Sequence, residues 1–246
     1  MNNYISMRET SWRDYQNFVK QHKSVVVGDV EVKLKAGEWK INSFAPPKNY
    51  KLEYRTVWSF PDRGDWATHK GDYRGNWSPY IPRNLILRYT KPGDWVLDQM
   101  CGSGTTLVEC KLLGRNGVGV DINPNAVMVT LDRLNFRYKP LDGDWVEPTI
   151  KVYVGDARNL NEINDSSMDL IATHPPYTGI IPYGKGRVNG DLSLLPLREY
   201  LREMRKVAEE CWRVLKPGKH CAILIGDTRR EKHYVPIAFR VMQTFL

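Results

Sequence analysis

WVLDQMCGSGTTLVECKLLGRNGVGVDI, residues 95–122, reads as strand, glycine turn, helix and strand. Trp95 to Met100 is a short, mostly apolar run that follows a Pro92-Gly93 turn, the signature of a buried strand. Gly102-Ser103-Gly104 lets the chain reverse tightly and leaves backbone N–H groups bare. Leu107, Val108, Leu112 and Leu113 recur at helical spacing, and Gly114 is a natural stop. Gly117 to Ile122 is the second strand, with Asp121 near its end. This unit is half of a doubly wound, mostly parallel α/β sheet, a Rossmann-like class whose ligands sit at the carboxyl ends of the strands.

The glycine spacing narrows the ligand. A dinucleotide turn needs a third glycine, G-x-G-x-x-G, and a phosphate loop needs a lysine, G-x-x-x-x-G-K-[ST]. Thr105, Thr106 and Leu107 stand where those residues would be. Asp98, at the end of the first strand, is unsuited to greeting a pyrophosphate. A ligand with an ammonium group and a ribose fits better, Asp98 facing the ammonium and Asp121 accepting from the ribose hydroxyls.

The rest of the chain alternates in the same way. An amphipathic helix is expected over Trp12 to His22, and a hairpin over Ser24 to Leu34 around Gly28-Asp29. Trp39, Ile41 and Phe44 alternate as a further strand that Pro46-Pro47 ends. Arg83 to Tyr89 reads as helix, as does Pro124 to Leu134 with Asn123 as cap. Strands are expected at Val152 to Val154, Asp169 to Thr173 and His220 to Ile225, with helices at Leu197 to Leu215 and Val235 to Phe245. Alternating strands and helices imply parallel pairing with right-handed crossovers. Residues 1–55 are read as an N-terminal extension and residues 56–246 as the main domain.

With 246 residues the chain can bury a sizeable core. No run of 18 apolar residues and no signal-peptide layout is present, and four cysteines lie scattered without metal-type spacing. A cytoplasmic protein with reduced thiols, no membrane partner and no metal is the expectation. The net charge is +8, and residues 1–97 carry 16 basic against 10 acidic residues, so most of the excess precedes the glycine turn. That asymmetry points to a polyanionic partner. Residues 56–82 interleave aromatic side chains with Arg63, Lys70 and Arg74. Arg63, Trp66, Lys70 and Arg74, with Lys185 and Arg187 of the glycine-rich loop 178–191, are the candidate nucleic-acid contacts.

Three acids end three successive strands, Asp98, Asp121 and Asp156, which sets them in a row along one sheet edge. The fourth strand delivers His174-Pro175-Pro176-Tyr177. Two prolines fix the backbone and remove two donors, leaving carbonyls free to accept, and an aromatic ring follows that can stack on a planar group.

An acid followed by G-x-G resembles the first motif of the S-adenosylmethionine-dependent methyltransferases. HPPY resembles their [D/N/S]-P-P-[Y/F] motif, and Leu97-Asp98 with Gly102-Ser103-Gly104-Thr105-Thr106 is similar to LD-x-x-x-GSGTT of the DNA amino-methyltransferases, the N4-cytosine and N6-adenine group. Arg213-x-Leu215-Lys216-Pro217-Gly218 resembles a later turn of the same group. The resemblance covers roughly residues 56–240; Gln99, Cys101 and His174 depart from the usual residues. It implies S-adenosylmethionine as cofactor, held by Asp98, Cys101, Gly102, Ser103, Gly104, Thr105, Asp121, Ile122, Asp156 and Ala157, with Tyr80 and Pro82 near its methionine end. It implies His174, Pro175, Pro176 and Tyr177 as catalytic residues. The amine hydrogens would be accepted at residue 174 and at the Pro175 carbonyl, the Tyr177 ring would stack on the base, and a duplex base would have to be flipped out. Cys101 is not read as a nucleophile. A neutral imidazole can accept one hydrogen bond and a protonated one cannot, so activity is expected to fall below about pH 6.5.

The expected reaction is methylation of a DNA base amino group, cytosine N4 before adenine N6, with a cognate restriction endonuclease as a partner of such systems. The alternatives are a base amino group in RNA, or a SAM-binding subunit that recognises nucleic acid without catalysis. Methyltransferase sheets of this kind carry two further strands, the last antiparallel. Either the chain is cut short or its N-terminal strands fill that edge.

Overall fold

A computed structural model describes residues 4–141, 144–179, 181, 183 and 188–246. The chain opens with β1 (Arg8–Glu9) and α1 (Trp12–Gln21). Ser11 caps α1 with a reciprocal box: its hydroxyl accepts from the Asp14 N–H at 3.2 Å, and the Asp14 carboxylate accepts from the Ser11 N–H at 2.9 Å. β2 (Ser24–Val27) and β3 (Val30–Lys33) pair through the two-residue Gly28-Asp29 turn, where Gly28 has φ 61°.

The strand expected across Trp39, Ile41 and Phe44 does not form. Its side chains serve individual anchors instead. The Trp39 indole donates to the Asp132 carbonyl at 2.8 Å, and Phe44 packs on Tyr138 with ring centroids 4.8 Å apart. Alternation here marks separate contacts, Trp39 to the helix that ends at Arg133 and Phe44 to the segment after it, rather than a pleat.

α2 (Tyr80–Tyr89) starts three residues earlier than the sequence suggests and leads into β4 (Trp95–Asp98). α3 (Thr105–Leu113) ends at Gly114, left-handed at φ 71°. β5 (Asn116–Asp121) and α4 (Pro124–Arg133) follow, with the Asn123 side chain accepting from the Asn125 N–H. β6 (Ile150–Val154) and β7 (Met168–Thr173) precede a 3-10 turn at Leu192–Leu194 and α5 (Leu197–Val214). β8 (Leu215–Ile223), the β9 (Thr228–Arg230) and β10 (His233–Val235) hairpin and α6 (Ile237–Phe245) complete the order. That small hairpin was not foreseen.

The main sheet runs β1-β6-β5-β4-β7-β8. All its pairs are parallel except β1 with β6. Strand order reverses between β4 and β7, the topological switch point of a doubly wound sheet, where a crevice opens. Alternate residues of β4 and β7 face opposite layers. Leu97 and Ile171 join α5 and α6, whereas Val96 and Leu170 join α2. Both faces are covered, so these strands are mostly apolar, with Asp98, Asp169 and Thr173 as the buried polar exceptions.

β1 sits beside β6, at the opposite end from β8, and β2 pairs only with β3. The N-terminal strands therefore do not fill the β8 edge. Lys216-Pro217-Gly218, expected as a turn, is absorbed into β8 as a bulge: the register jumps from Met168↔Leu215 to Leu170↔His220. Lys216 and Lys219 both reach Asp169, at 2.7 and 3.2 Å.

The first 55 residues share a core with the sheet. Tyr15, Val25 and Val32 cluster with Leu107, Val127 and Val152. Asp132 of α4, 1% exposed, ties this region down by accepting from the Tyr15 hydroxyl at 2.6 Å and the Lys35 N–H at 2.8 Å.

Candidate active site

A cleft of about 860 Å³, counting the open solvent at its mouth, lies at the carboxyl ends of β4, β5, β6 and β7. Asp98, at the tip of β4, is 2% exposed. Its two oxygens accept from the hydroxyls of Thr106 at 2.5 Å and Thr173 at 2.9 Å. Burial pushes its carboxyl up to about 6, against these hydrogen bonds.

The glycine turn then folds over the next strand. Cys101 N–H donates to the Val120 carbonyl, and Gly102 and Gly104 take φ of 53° and 77°. A methyl group on Gly104 would lie 2.8 Å from Thr130 Cγ2, which is why this position needs glycine. The bare Gly102 N–H donates to Asp121 Oδ2 at 2.9 Å, and the Asn123 N–H donates to Asp121 Oδ1 at 2.9 Å. Asp121 is thus oriented by backbone, keeps lone pairs for further donors, and is pushed up to about 6 by burial. Burial also holds the Cys101 thiol protonated, so it is no thiolate nucleophile.

Asp98, Cys101, Gly102, Ser103, Thr105, Asp121, Ile122, Asp156 and Ala157 all line the cleft, together with His174 and Pro176. Asp156 lines it with less capacity than expected, because Arg158 clamps both of its oxygens, Nε to Oδ1 at 2.8 Å and Nη2 to Oδ2 at 2.5 Å. Arg158 passes on to Glu203 at 2.7 Å.

Several expected positions lie elsewhere. Tyr80 and Pro82 sit in the first turn of α2, off the cleft. Tyr80 stacks on Phe60 at 5.1 Å and meets Trp66 edge-on at 4.8 Å. Trp66 is corrected from base-stacking to core: it is 2% exposed and its indole donates to Glu109 at 2.7 Å. Glu109, wholly buried, also accepts from His69 and Arg83, each at 2.7 Å. Burial opposes its ionisation, but Arg83 and His69 outweigh that and hold its carboxyl below the usual range. Arg63 has its guanidinium nitrogens buried, out of reach of a phosphate. Lys70 lies over the Trp39 ring at 4.3 Å, and Arg74 pairs with Asp29 at 2.6 Å; both are exposed. Lys185 and Arg187 lie outside the described residues.

Other cleft residues escaped the sequence reading. Tyr73, Asn76 and Trp77 come from the aromatic stretch and form one wall; Tyr183, Asp191 and Leu192 form another. The Tyr73 ring lies over Gly102, where an added methyl would come within 3.2 Å of it. Asp191 caps the 3-10 turn through the Ser193 N–H at 2.9 Å, and an Asp two residues before a Ser was the local signal available. The Tyr183 carbonyl accepts from the Gly28 N–H at 2.9 Å, so the N-terminal hairpin touches this wall.

The HPPY turn follows β7, whose last rung is Leu224 N–H to the Thr173 carbonyl. His174 Nε2 lies 3.2 Å from the Tyr177 hydroxyl, and its ring stacks on Trp77 with centroids 6.0 Å apart. Pro175 is buried, and Pro175 and Tyr177 stand behind the cleft surface. Burial pushes His174 down to about 4, with the Gly75 backbone opposing. The expected loss of activity below pH 6.5 through His174 is therefore corrected: this ring stays neutral well below that pH. Among the described residues, neither the His174 nor the Pro175 carbonyl accepts a hydrogen bond. Among them also, no group of acidic, His and Cys side chains is placed to hold a metal, and no helix is long and apolar enough to cross a membrane.

A family model described as DNA methylase matches residues 3–132, and one described as RMKL-like, methyltransferase domain, matches residues 85–215. The tRNA (guanine(10)-N2)-dimethyltransferase of Methanocaldococcus jannaschii is 38% identical over 48% of this chain and 33% of its own. Type II methyltransferase M.Cfr9I of Citrobacter freundii is 38% identical over 32% of this chain and 25% of its own. Type II methyltransferase M.BglII of Bacillus subtilis is 43% identical over 39% and 25%. The chain thus spans a quarter to a third of the length of these relatives. A solved SAM-dependent methyltransferase from Methanosarcina mazei is 25% identical, with a TM-score of 0.40 over 56% of this chain and 55% of its own.

Proposed function

This chain belongs to the DNA methylase family, and from that premise we propose that it methylates the exocyclic amino group of a DNA base, cytosine N4 in preference to adenine N6. Its cofactor is S-adenosylmethionine, which supplies a methyl group on a positively charged sulfur. The observation that carries the proposal is the meeting of Asp98, Asp121, Asp156 and the HPPY turn in one cleft at the switch point.

The residues fit that cofactor by their donor and acceptor chemistry. Asp121, steadied by two backbone N–H groups, has acceptor capacity left for ribose hydroxyls. Asp98 is a buried carboxylate to which an approaching ammonium offers the missing counter-charge. Ile122 and Ala157 offer apolar surface, and Asp156 a partly used acceptor, to the adenine side. Gly102 lets the backbone come close, whereas Gly104, expected beside it, packs against Thr130 and does not line the cleft.

On the substrate side, an aromatic amine is a weak nucleophile because its lone pair is delocalised. A main-chain carbonyl at Pro175 would accept an amine hydrogen, and Trp77, which lines the cleft, is a planar partner for the base. Such acceptors work by positioning and by stabilising developing positive charge. A duplex base must first leave its stack, at about a few kcal/mol. Lys70 and Arg74 are exposed cations for phosphate contact, joined by the basic excess of the first 97 residues. We assign residues 56–246 to the methyltransferase domain and residues 1–55 to an extension that supports its wall.

A second reading has its own support: the Methanocaldococcus jannaschii relative acts on guanine N2 in tRNA and matches 48% of this chain. The same cleft chemistry would then serve a base in RNA.

Labelled S-adenosylmethionine offered with unmethylated genomic DNA and with total RNA, followed by nucleoside mass spectrometry, separates these. N4-methylcytosine in DNA supports the proposal, and N6-methyladenine keeps DNA but changes the base. Label in RNA alone replaces the proposal with the second reading, and label in neither overturns both.

A further inference from the structure

Arg158, two residues after the acid that follows β6, is the junction of three parts of the fold. Its Nε and Nη2 donate to Asp156 Oδ1 and Oδ2 at 2.8 and 2.5 Å, the fork-to-fork pairing of a guanidinium with a carboxylate. Nη2 also donates to the Gly190 carbonyl at 3.0 Å, and Nη1 to Glu203 of α5 at 2.7 Å. The Tyr4 ring covers the guanidinium, with Cζ 4.4 Å from its centroid, and the Tyr4 hydroxyl donates to Glu203 at 3.1 Å. The Arg158 side chain is 6% exposed. On the acid, Oδ1 accepts once more, from the Arg158 N–H at 3.0 Å. A carboxylate oxygen has about two acceptor positions, so Oδ1 is filled and Oδ2 keeps one. That oxygen lies beside Gly190, at φ 87°: a methyl there would come within 2.7 Å of Arg158 Nη2, 3.0 Å of Ile122 Cδ1 and 3.3 Å of Asp156 Oδ2. Only glycine lets this wall of the cleft come so near the acid.

We infer that Arg158 is a positioning residue that sets cofactor selectivity at the adenine end, acting through Asp156. It leaves the carboxylate one acceptor position on Oδ2 and, by pairing with it, no proton to give. A purine 6-amino group satisfies such a contact; a 6-oxo group, itself an acceptor, does not. The inference rests on the placing of Asp156 at the adenine side under the proposed function. It gives the lost acceptor capacity a use. An unclamped carboxylate turns freely and takes any donor, water included, whereas a clamped one presents a single lone pair in a single direction. The same guanidinium holds the Gly190 carbonyl, so the acceptor and the wall beside it depend on one side chain.

Selectivity can be read without nucleic acid or turnover. Titration calorimetry of the full chain compares S-adenosylhomocysteine with S-inosylhomocysteine, its 6-oxo counterpart. One hydrogen bond to a charged group gives the wild type a preference of roughly 10- to 150-fold for the amino ligand. Arg158→Met keeps much of the bulk and loses the fork; it should weaken the amino ligand and spare the oxo ligand, so that the preference falls below about threefold, less than one hydrogen bond supplies. Arg158→Lys offers a point charge in place of a planar fork and should recover only part of the preference. Gly190→Ala drives a Cβ onto Nη2 from the cleft wall and should lower the preference in the same direction, which decides the matter if Arg158→Met does not fold. Affinities that fall by one common factor for both ligands, with the preference kept, make Arg158 a structural brace and overturn the inference. A wild type without preference overturns it too. Binding with the expected preference, but no methyl transfer to DNA or RNA, refutes the proposed function and upholds the role of Arg158. A wild type that binds neither ligand overturns the inference together with the cofactor site.

Discussion

The Gly102 N–H donates to Asp121 Oδ2 at 2.9 Å, so the backbone of the turn after β4 holds the acid that ends β5. Two strands and one glycine thereby form a single device. The glycine is needed twice, for its φ of 53° and for the space that Tyr73 leaves above it.

Replacing Asp121 by Ala removes acceptors for the cofactor and leaves two backbone N–H groups unpaired. Hydrogen bonds to a charged group contribute about 1.5–3 kcal/mol, so the dissociation constant for S-adenosylmethionine should rise roughly 10- to 150-fold. Titration calorimetry decides it, and a change below about threefold would remove Asp121 from the cofactor site.

Asp98 and Asp121 both sit at about 6 through burial, above their ordinary 3.8. Raised folded-state values mean that the stability these groups contribute is present at low pH and lost as pH rises through 6. Each costs the fold on the order of 3 kcal/mol above that pH. Cofactor binding has the opposite slope, since it needs the carboxylates charged. Without cofactor, these two acids should make the melting temperature lower at pH 7.5 than at pH 5.5, and the shift produced by added S-adenosylmethionine should be larger at pH 7.5. Melting curves at both values check this; a cofactor shift that grows on acidification contradicts it.

The pH–rate profile should bend near 6 with those acids and show no separate step from His174 before about pH 4. A bend at 6 that persists in Asp98→Asn, and vanishes in His174→Phe, would assign it to the imidazole instead.

Glu109→Ala strands Trp66, His69 and Arg83 in the core with no acceptor. Breaking a buried pair from one side costs about 3–5 kcal/mol. Urea unfolding should register that loss, and a midpoint unchanged from wild type would show that the cluster is not coupled to the fold.

Gly104→Ala forces a Cβ to 2.8 Å from Thr130 in a left-handed conformation. The conformation alone costs about 1–2 kcal/mol, and the contact adds to it. The same unfolding assay measures it; Thr130→Ser, by removing the clashing methyl, should recover part of the loss.

Residues 95–122 were legible because each local rule agreed with the others. The apolar run, the two left-handed glycines, the helical spacing and the stop at Gly114 all specify one unit, and the strand-end acids fall along the cleft. What was not legible depended on distant partners. Nothing near Trp66 announces Glu109, 43 residues away, which turns an aromatic of apparent base-stacking type into core. Nothing near Asp156 distinguishes an open carboxylate from one clamped by Arg158 and Glu203. Tyr73 and Trp77 looked like surface aromatics because their loop has no periodicity; their burial comes from lying across the glycine turn and the His174 ring. Trp39 and Phe44 alternated as a strand would, yet no neighbouring strand was there to pair with them.

The bulge at residues 215–219 also matters for how copies of the chain behave toward one another. Among the described residues β8 is bonded on one side only, to β7. Such an edge offers bare N–H and C=O groups to any passing strand. Here Pro217 withholds an N–H, Gly218 bends the strand at φ 75°, and two lysines stand beside them. Along residues 215–219 the irregularity interrupts the row of N–H and C=O groups that a further strand would pair with, and a straight, β-branched replacement of residues 216–219 should make this 246-residue chain self-associate, as light scattering would report.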